Sequence, residues 1–416
     1  MAEFPFATVT ANELSFAERD ERYRRLHDWP QPTYRHSSGL RMIWKYEDVR
    51  EVLEAASAAI TPANALEPLV GYPRVAATPR AIPHLVRHLV PLPAKATADL
   101  TDRRLHKKVW DTMSGPAGHF RIPAADRPRQ AAAMEQHFHA ALDELETGTG
   151  ELDLTALSIA YATRVTGSMV GLPAAEWRRV AVWSGAQSGL LGRRMRGREL
   201  AGAVAALGQL FTVSGRAVDH NLRSGTVGFA TRLRDAGIPR RVAVSAMANS
   251  LAAGVHTVSG TIQQGVQRLL SDPDRIWWDM LAEPDTAGRV AAKMLQLDPG
   301  LVAWKRRALR PVTLASGTEL PAGPVLVMFA AANRDPAAFP DCLSLRRGGK
   351  MPLTFGFGAH TCPGKQCATL AVEVFLHQLH ALVPEARLAA GPPDPRPGPD
   401  LLFSGARVRL ARDRRV

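Results

Sequence analysis

Apolar positions recur every three to four residues over most of this 416-residue chain. The pattern is clearest in "RPRQAAAMEQHFHAALDELE", "ELAGAVAALGQLFTVSGRAVDHNLRSG" and "PRRVAVSAMANSLAAGVHTVSGTIQQGVQRLLSD". Such spacing gathers apolar side chains into one stripe along a helix, so these stretches are expected to be long helices. Strand-like pieces are few and short. "GLRMIWKY" lies near the start, and "VTLASGTELPAGPVLVMFAA" reads as a hairpin turning at Ser316-Gly317. "LLFSGARVRLA" closes the chain, and the Pro-rich "AAGPPDPRPGPD" before it reads as a surface connection. The expectation is a mainly α domain over 1–416, with a small β portion at both ends and no internal repeat.

Composition changes this picture little. Hydrophobic residues make up 46% and charged residues 22%, the balance of a globular chain with a sizeable core. No apolar run approaches the roughly 18 residues of a membrane span. "MAEFPFATVTANELSFAERDERYRRL" lacks a basic start followed by an apolar segment, so a cytoplasmic location is expected. The net charge is +13, with arginine far ahead of lysine. The basic residues are scattered through stretches such as "GRRMRGREL" with few aromatics between them, which argues against nucleic acid and fits docking of an acidic protein.

Three cysteines, Cys342, Cys362 and Cys367, are too few for a disulfide framework and too irregularly set for a zinc knuckle. Cys362 stands out by its setting, "TFGFGAHTCPGKQCATL", where glycines let the backbone pass close to a flat partner and a helix-forming run follows. A thiolate presented this way can ligate haem iron.

"FGFGAHTCPG" resembles the cysteine-ligand loop of the cytochrome P450 family, FGxGxHxCxG. Phe355, Gly356, Gly358, His360, Cys362 and Gly364 fill every specified position. "GLRMIWKYEDVREVLE", "RVTGSMVGLPAAEWRRVAVWS", "VTLASGTELPAGPVLVMFAAANRDPAAFPD" and "RPGPDLLFSGARVRLA" resemble further segments of soluble bacterial members, in the right order. The resemblance implies the P450 fold, with haem b (heme, iron protoporphyrin IX) between a long central helix and the cysteine loop. It implies Cys362 as the axial ligand, with His360 and Arg306 at haem propionates; Arg307 is the alternative to Arg306.

The chain departs from the family at four places. The central-helix motif reads Ala253, Gly254, Val255, His256, Thr257, so histidine replaces the acid that normally precedes the threonine. An imidazole can still move protons, act on substrate as acid or base, or reach the iron. The Glu-x-x-Arg pair is replaced by Lys293 and Gln296, and its usual third partner by Cys342 or nothing. Where the family supplies His and Arg to a propionate, "TDRRLHKKVW" offers Asp102 and His106, with Trp110 close by. Pro363 follows the cysteine and lacks an amide hydrogen for the sulfur, a change expected to lower the iron potential.

The resemblance implies a haem-thiolate monooxygenase acting on a small organic molecule, expected to be a bacterial secondary-metabolite intermediate, with electrons from a ferredoxin and its reductase. The catalytic pair would be His256 and Thr257. The altered motif also admits a haem enzyme that runs on peroxide or performs dehydration, rearrangement or cyclisation. A third reading is a helper protein of a partner enzyme, with catalysis lost.

Overall fold

The computed structural model describes residues 3–8, 10–54, 59–61, 103–145, 151–192, 195, 197–346, 348–389, 394–395 and 400–411. Asp102 lies outside these residues. The principal helices are α1 (Phe16–His27), α2 (Tyr46–Glu54), α3 (Arg103–Ser114), α4 (Arg127–Asp143), α5 (Leu154–Val170), α6 (Trp177–Gly192), α7 (Gly197–Ser224), α8 (Phe229–Asp235), α9 (Arg240–Ser271), α10 (Pro284–Leu297) and α11 (Lys365–Leu382). The three longest helical patterns read from the sequence coincide with α4, α7 and α9.

Helix α9 runs 32 residues and holds the helical part together. Its first half, Val242 to Leu251, packs into one apolar cluster with α7 and α8. Its second half, Val258 to Leu269, packs into another with α5, α10 and α11. The motif Ala253–Thr257 falls between these clusters.

Among the described residues the β portion has twelve short strands. A five-stranded sheet has the order β1 (Thr33–Arg35), β2 (Arg41–Ile43), β8 (Gly323–Val327), β5 (Trp304–Ala308), β3 (Ile60–Thr61). Its β2–β8 pair is parallel, with Arg41 opposite Val325, so it joins the two ends of the chain. The hairpin is present as β6 (Val312–Thr313) and β7 (Glu319–Leu320), with Gly317 at φ +84° in the turn. β4 (Glu151–Asp153) pairs with β12 (Arg409–Ala411), which also pairs with β9 (Arg387–Leu388); β10 (Asp394–Pro395) pairs with β11 (Ala406–Arg407). Strands of two or three residues show no alternation, which is why β1, β3 and β4 are not legible in the sequence, and the five residues of β5, Trp-Lys-Arg-Arg-Ala, do not alternate either.

A buried ionic cluster ties α1, α9 and the end of α10 to the segment after β8. Asp298 accepts from Arg19 Nη1 at 3.1 Å and from Arg268 Nε, and lies 3.5 Å from Arg334 Nη2. Arg268 also grips Asp20 with two bonds of 2.7 and 2.9 Å, and Arg334 reaches the same carboxylate at 2.9 Å. The Asp298 side chain is fully buried, and the surrounding guanidiniums hold its carboxyl down at about 2 against the burial that would raise it.

Candidate functional site

The cysteine loop begins at the turn Leu353–Phe355 and ends in α11. The Cys362 amide donates to the Phe355 carbonyl at 2.8 Å, closing the loop. Gly356 and Gly358 have φ of +70° and +71°, the left-handed region that favours glycine. A Cβ on Gly358 would also lie 3.0 Å from Glu54 Cα at the end of α2, so nothing larger fits there without displacing that helix. Burial pushes the Cys362 thiol up, while the Gly364 amide bonded to the sulfur and the Lys365 ammonium pull it back. Cys367 is buried in α11; its thiol donates to the Phe120 carbonyl at 3.2 Å and burial raises it to about 12, the behaviour of a packing residue.

Helix α3 lays two aromatic side chains against the loop. His106 is buried, with Nε2 3.4 Å from His360 Nδ1. Trp110 stacks on His106 with ring centroids 4.2 Å apart, and its indole donates to the Thr361 carbonyl at 2.9 Å. Trp110 is therefore a direct brace of the loop, beyond the core packing its sequence position suggests.

Between its two buried halves, α9 has an open strip. Ala253 is exposed and Gly254 and Thr257 are half-buried, whereas Val255, His256 and Val258 are buried. The Thr257 hydroxyl donates back to the Ala253 carbonyl at 2.7 Å, which leaves its oxygen as an acceptor on that strip. His256 sits against α6: a Cβ on Gly185 would lie 3.7 Å from its Cε1 and 4.0 Å from Nε2. The ring thus abuts α6 while Ala253 and Thr257 line the strip.

The backbone of α9 at Thr257 is braced from behind by Gly300. A Cβ on Gly300 would lie 2.1 Å from the Thr257 carbonyl oxygen and 2.8 Å from its Cα, both backbone atoms with no room to yield. The Gly300 amide donates to Thr261 Oγ1, and Thr261 Oγ1 donates to the Thr257 carbonyl, each at 2.8 Å. Gly300→Ala is expected to cost about 2–3 kcal/mol through overpacking. A denaturant titration checks this, and an unchanged midpoint would show that the segment moves aside freely.

Arg306 and Lys305 are consecutive residues of β5, and both are buried. Among the described residues, Arg306 bonds only the Lys305 carbonyl, at 2.8 Å, and meets no carboxylate; burial depresses its guanidinium to about 10. A cation so placed calls for an anion. Ala308 and Val325 of the sheet share an apolar cluster with Leu353, against which Phe357 packs, so sheet and loop are built on one core.

Lys293 and Gln296 do not leave a gap. Lys293 Nζ donates to Gln296 Oε1 and to the Cys342 carbonyl, both at 3.0 Å, and Gln296 Nε2 donates to the Asn333 carbonyl at 3.0 Å. Cys342 takes part through its backbone, so its identity as a cysteine is not what holds the contact. Reading the sequence missed Asn333, Thr354, Thr261 and Gly300. Each acts through a partner far along the chain, and local pattern gives no signal of it.

These residues fit a haem. A thiol in a closed glycine loop suits iron, the uncompensated Arg306 suits a carboxylate, and His106 and His360 meet where α3 joins the loop. The structure brings Phe355, Gly356, His360, Cys362, Gly364 and His106 together, and sets Ala253 and Thr257 on one strip, while Gly254 packs against Thr166 of α5.

No family model matches the chain. It is 30% identical over 298 residues to cytochrome P450 144 of Mycobacterium tuberculosis, a match covering 68% of this chain and 65% of that protein. It is 29% identical over 269 residues to the vitamin D3 dihydroxylase of Streptomyces griseolus, covering 62% of this chain and 63% of that one. The match thus spans less than two thirds of these relatives' length. In fold the chain is similar to the CYP116B5 heme domain of Acinetobacter radioresistens, with a TM-score of 0.81 at 17% identity over 98% of both chains.

Proposed function

Because this chain belongs to the cytochrome P450 family, we propose that it is a haem-thiolate monooxygenase of a small organic molecule, with Cys362 giving its sulfur to haem b. The observation that carries this reading is the complete cysteine loop, closed from Phe355 to Cys362 with the Gly364 amide on the sulfur. Haem held by a thiolate supplies activation of dioxygen and oxidation of C–H bonds. Arg306, His106 and His360 would hold its carboxylates by charge-assisted bonds. Thr257 offers an acceptor oxygen on the open strip, and His256 moves protons from the α6 side. A bacterial secondary metabolite remains the expected substrate. Exposed Arg103, Arg104, Lys107 and Lys108 on α3 beside the loop, with the +13 net charge, support docking of an acidic ferredoxin served by its reductase.

A second reading rests on His256. A buried histidine in place of a carboxylic acid also suits a haem enzyme that uses peroxide, or one that transfers protons to drive dehydration, rearrangement or cyclisation. The helper reading has no counterpart in the site, since a chain without haem has no use for this loop.

Oxidation of guaiacol by the purified holoprotein, driven either by reduced ferredoxin with dioxygen or by hydrogen peroxide, separates these readings. Peroxide brings its own protons, so His256→Ala and Thr257→Ala are expected to slow the dioxygen-driven reaction about 100-fold and the peroxide-driven one far less. Equal losses by both routes would contradict the proton-relay role. Turnover of the wild-type protein by hydrogen peroxide but not by reduced ferredoxin with dioxygen would favour the second reading.

A further inference from the structure

Asn333 is fully buried between α10 and the segment that leads into the cysteine loop, and its side chain serves both. Its Oδ1 accepts from the Leu353 amide at 2.6 Å. Its Nδ2 donates to the Gln296 carbonyl at 3.0 Å and to Thr354 Oγ1 at 2.9 Å. Thr354 Oγ1 in turn donates to the Leu295 carbonyl at 2.6 Å, and Gln296 Nε2 returns to the Asn333 carbonyl at 3.0 Å. Lys293 extends the set to the Cys342 carbonyl, and among the described residues no carboxylate lies within ion-pair distance of it. The turn so held contains Phe355, whose carbonyl receives the Cys362 amide at 2.8 Å.

We propose that Asn333 is the positioning residue of the cysteine loop: its amide fixes the Leu353–Thr354 turn to α10, and through Phe355 sets where the Cys362 sulfur stands. The network is nearly neutral. Its one charge is the Lys293 ammonium, and its other bonds run from amides and a hydroxyl to carbonyl or hydroxyl oxygens, so altering Asn333 or Thr354 strands no partner charge. A fully bonded buried amide has one low-energy orientation, and that is what a loop required to hold one sulfur in one place needs. An aspartate at 333 would keep the size and the Leu353 bond, but its second oxygen would face the Gln296 carbonyl in place of a donor. This assignment rests on the haem-thiolate reading only for the role of the sulfur; the clamp itself is a property of the polypeptide.

The test therefore has two arms. Hydrogen exchange by mass spectrometry on the peptide spanning 351–357 needs no haem. Asn333→Asp and Asn333→Ala are expected to speed exchange there at least about tenfold, as loss of a buried hydrogen bond does, with peptides of α5 and α7 unchanged. In the holoprotein, the thiolate-ligated share of the reduced carbon monoxide complex should fall by at least about half. Asn221→Ala serves as the control. Asn221 is another nearly buried asparagine, donating to the Gly171 carbonyl at 2.9 Å, and its loss should lower stability without moving either readout. Where the Asn333 variants fail to fold, Thr354→Val removes the hydroxyl at the edge of the network and should move both readouts the same way.

Wild-type exchange at 351–357 in the Asn333 variants would overturn the proposal, as would the same changes in Asn221→Ala. A wild-type protein that forms no thiolate complex would overturn the haem-thiolate reading instead, and the exchange arm would still decide the clamp.

Discussion

Asp298→Asn is expected to destabilise the protein by about 3–5 kcal/mol at pH 7, because it strands guanidiniums in a buried cluster. Asp298 takes bonds from Arg19 and Arg268 and faces Arg334, while Asp20 alone cannot balance three cations. Arg19 has one further partner, Gln264 Oε1 at 2.8 Å, and the aromatic faces of Phe16 and Tyr23 lie 4.7 Å from the guanidiniums. These contacts soften the loss without supplying a charge. The Asp298 carboxyl stands at about 2 in the folded chain against 3.8 as its ordinary value. A group held down in this way contributes stability above its unfolded value, and loses that contribution as pH falls through its folded one. The separation corresponds to about 2 kcal/mol. Denaturant midpoints of wild type and Asp298→Asn should therefore be far apart at pH 7, and should converge by about that amount between pH 5 and pH 2. A gap below about 1 kcal/mol at pH 7, or one that stays constant into acid, would contradict this account of the cluster.

The same cluster shows where sequence reading stops. The helices announce themselves: α4, α7, α9 and α11 follow from three- and four-residue apolar spacing, because a helix turns every 3.6 residues whatever it packs against. The hairpin at Ser316-Gly317 and the cysteine loop are also legible, since glycine at a turn or a close approach is a local requirement. Asp298 is different. Its partners lie 279, 36 and 30 residues away in the chain, and only the packing of α1, α9 and the segment after β8 around the end of α10 assembles them.

Lys293 and Gln296 make the point more sharply. Set beside the family's pattern they look like two losses, yet they bond each other three residues apart on α10 and reach Cys342 and Asn333 across the fold. A pattern defined by paired opposite charges cannot recognise an arrangement in which an ammonium and an amide bond neutral oxygens. His256 gives the complementary case: its identity is plain from the sequence, whereas its orientation toward Gly185 is set by the small residue opposite it on α6. Arg306 lies between these extremes. Its neighbourhood to the family arginine is legible, and the choice over Arg307 gains support from burial: Arg306 is enclosed by the sheet with no acid among the described residues bonded to it, and Arg307 is only half-buried.

Cys362→Ser should have the largest functional effect of any single change. Serine keeps the loop's size and the 2.8 Å bond from residue 362 to the Phe355 carbonyl, since that bond uses the backbone. What it removes is the soft, electron-rich sulfur that haem iron selects. Folding should persist, while oxidation of guaiacol by the dioxygen route should fall to background.

The most direct measurement is the absorption spectrum of the haem-loaded wild-type protein, reduced under carbon monoxide and compared with Cys362→Ser. Thiolate ligation through residue 362 predicts the red-shifted band of a cysteine-bound haem in the first and its complete absence in the second. A wild-type protein that takes up no haem, or a band that survives the substitution, would contradict it.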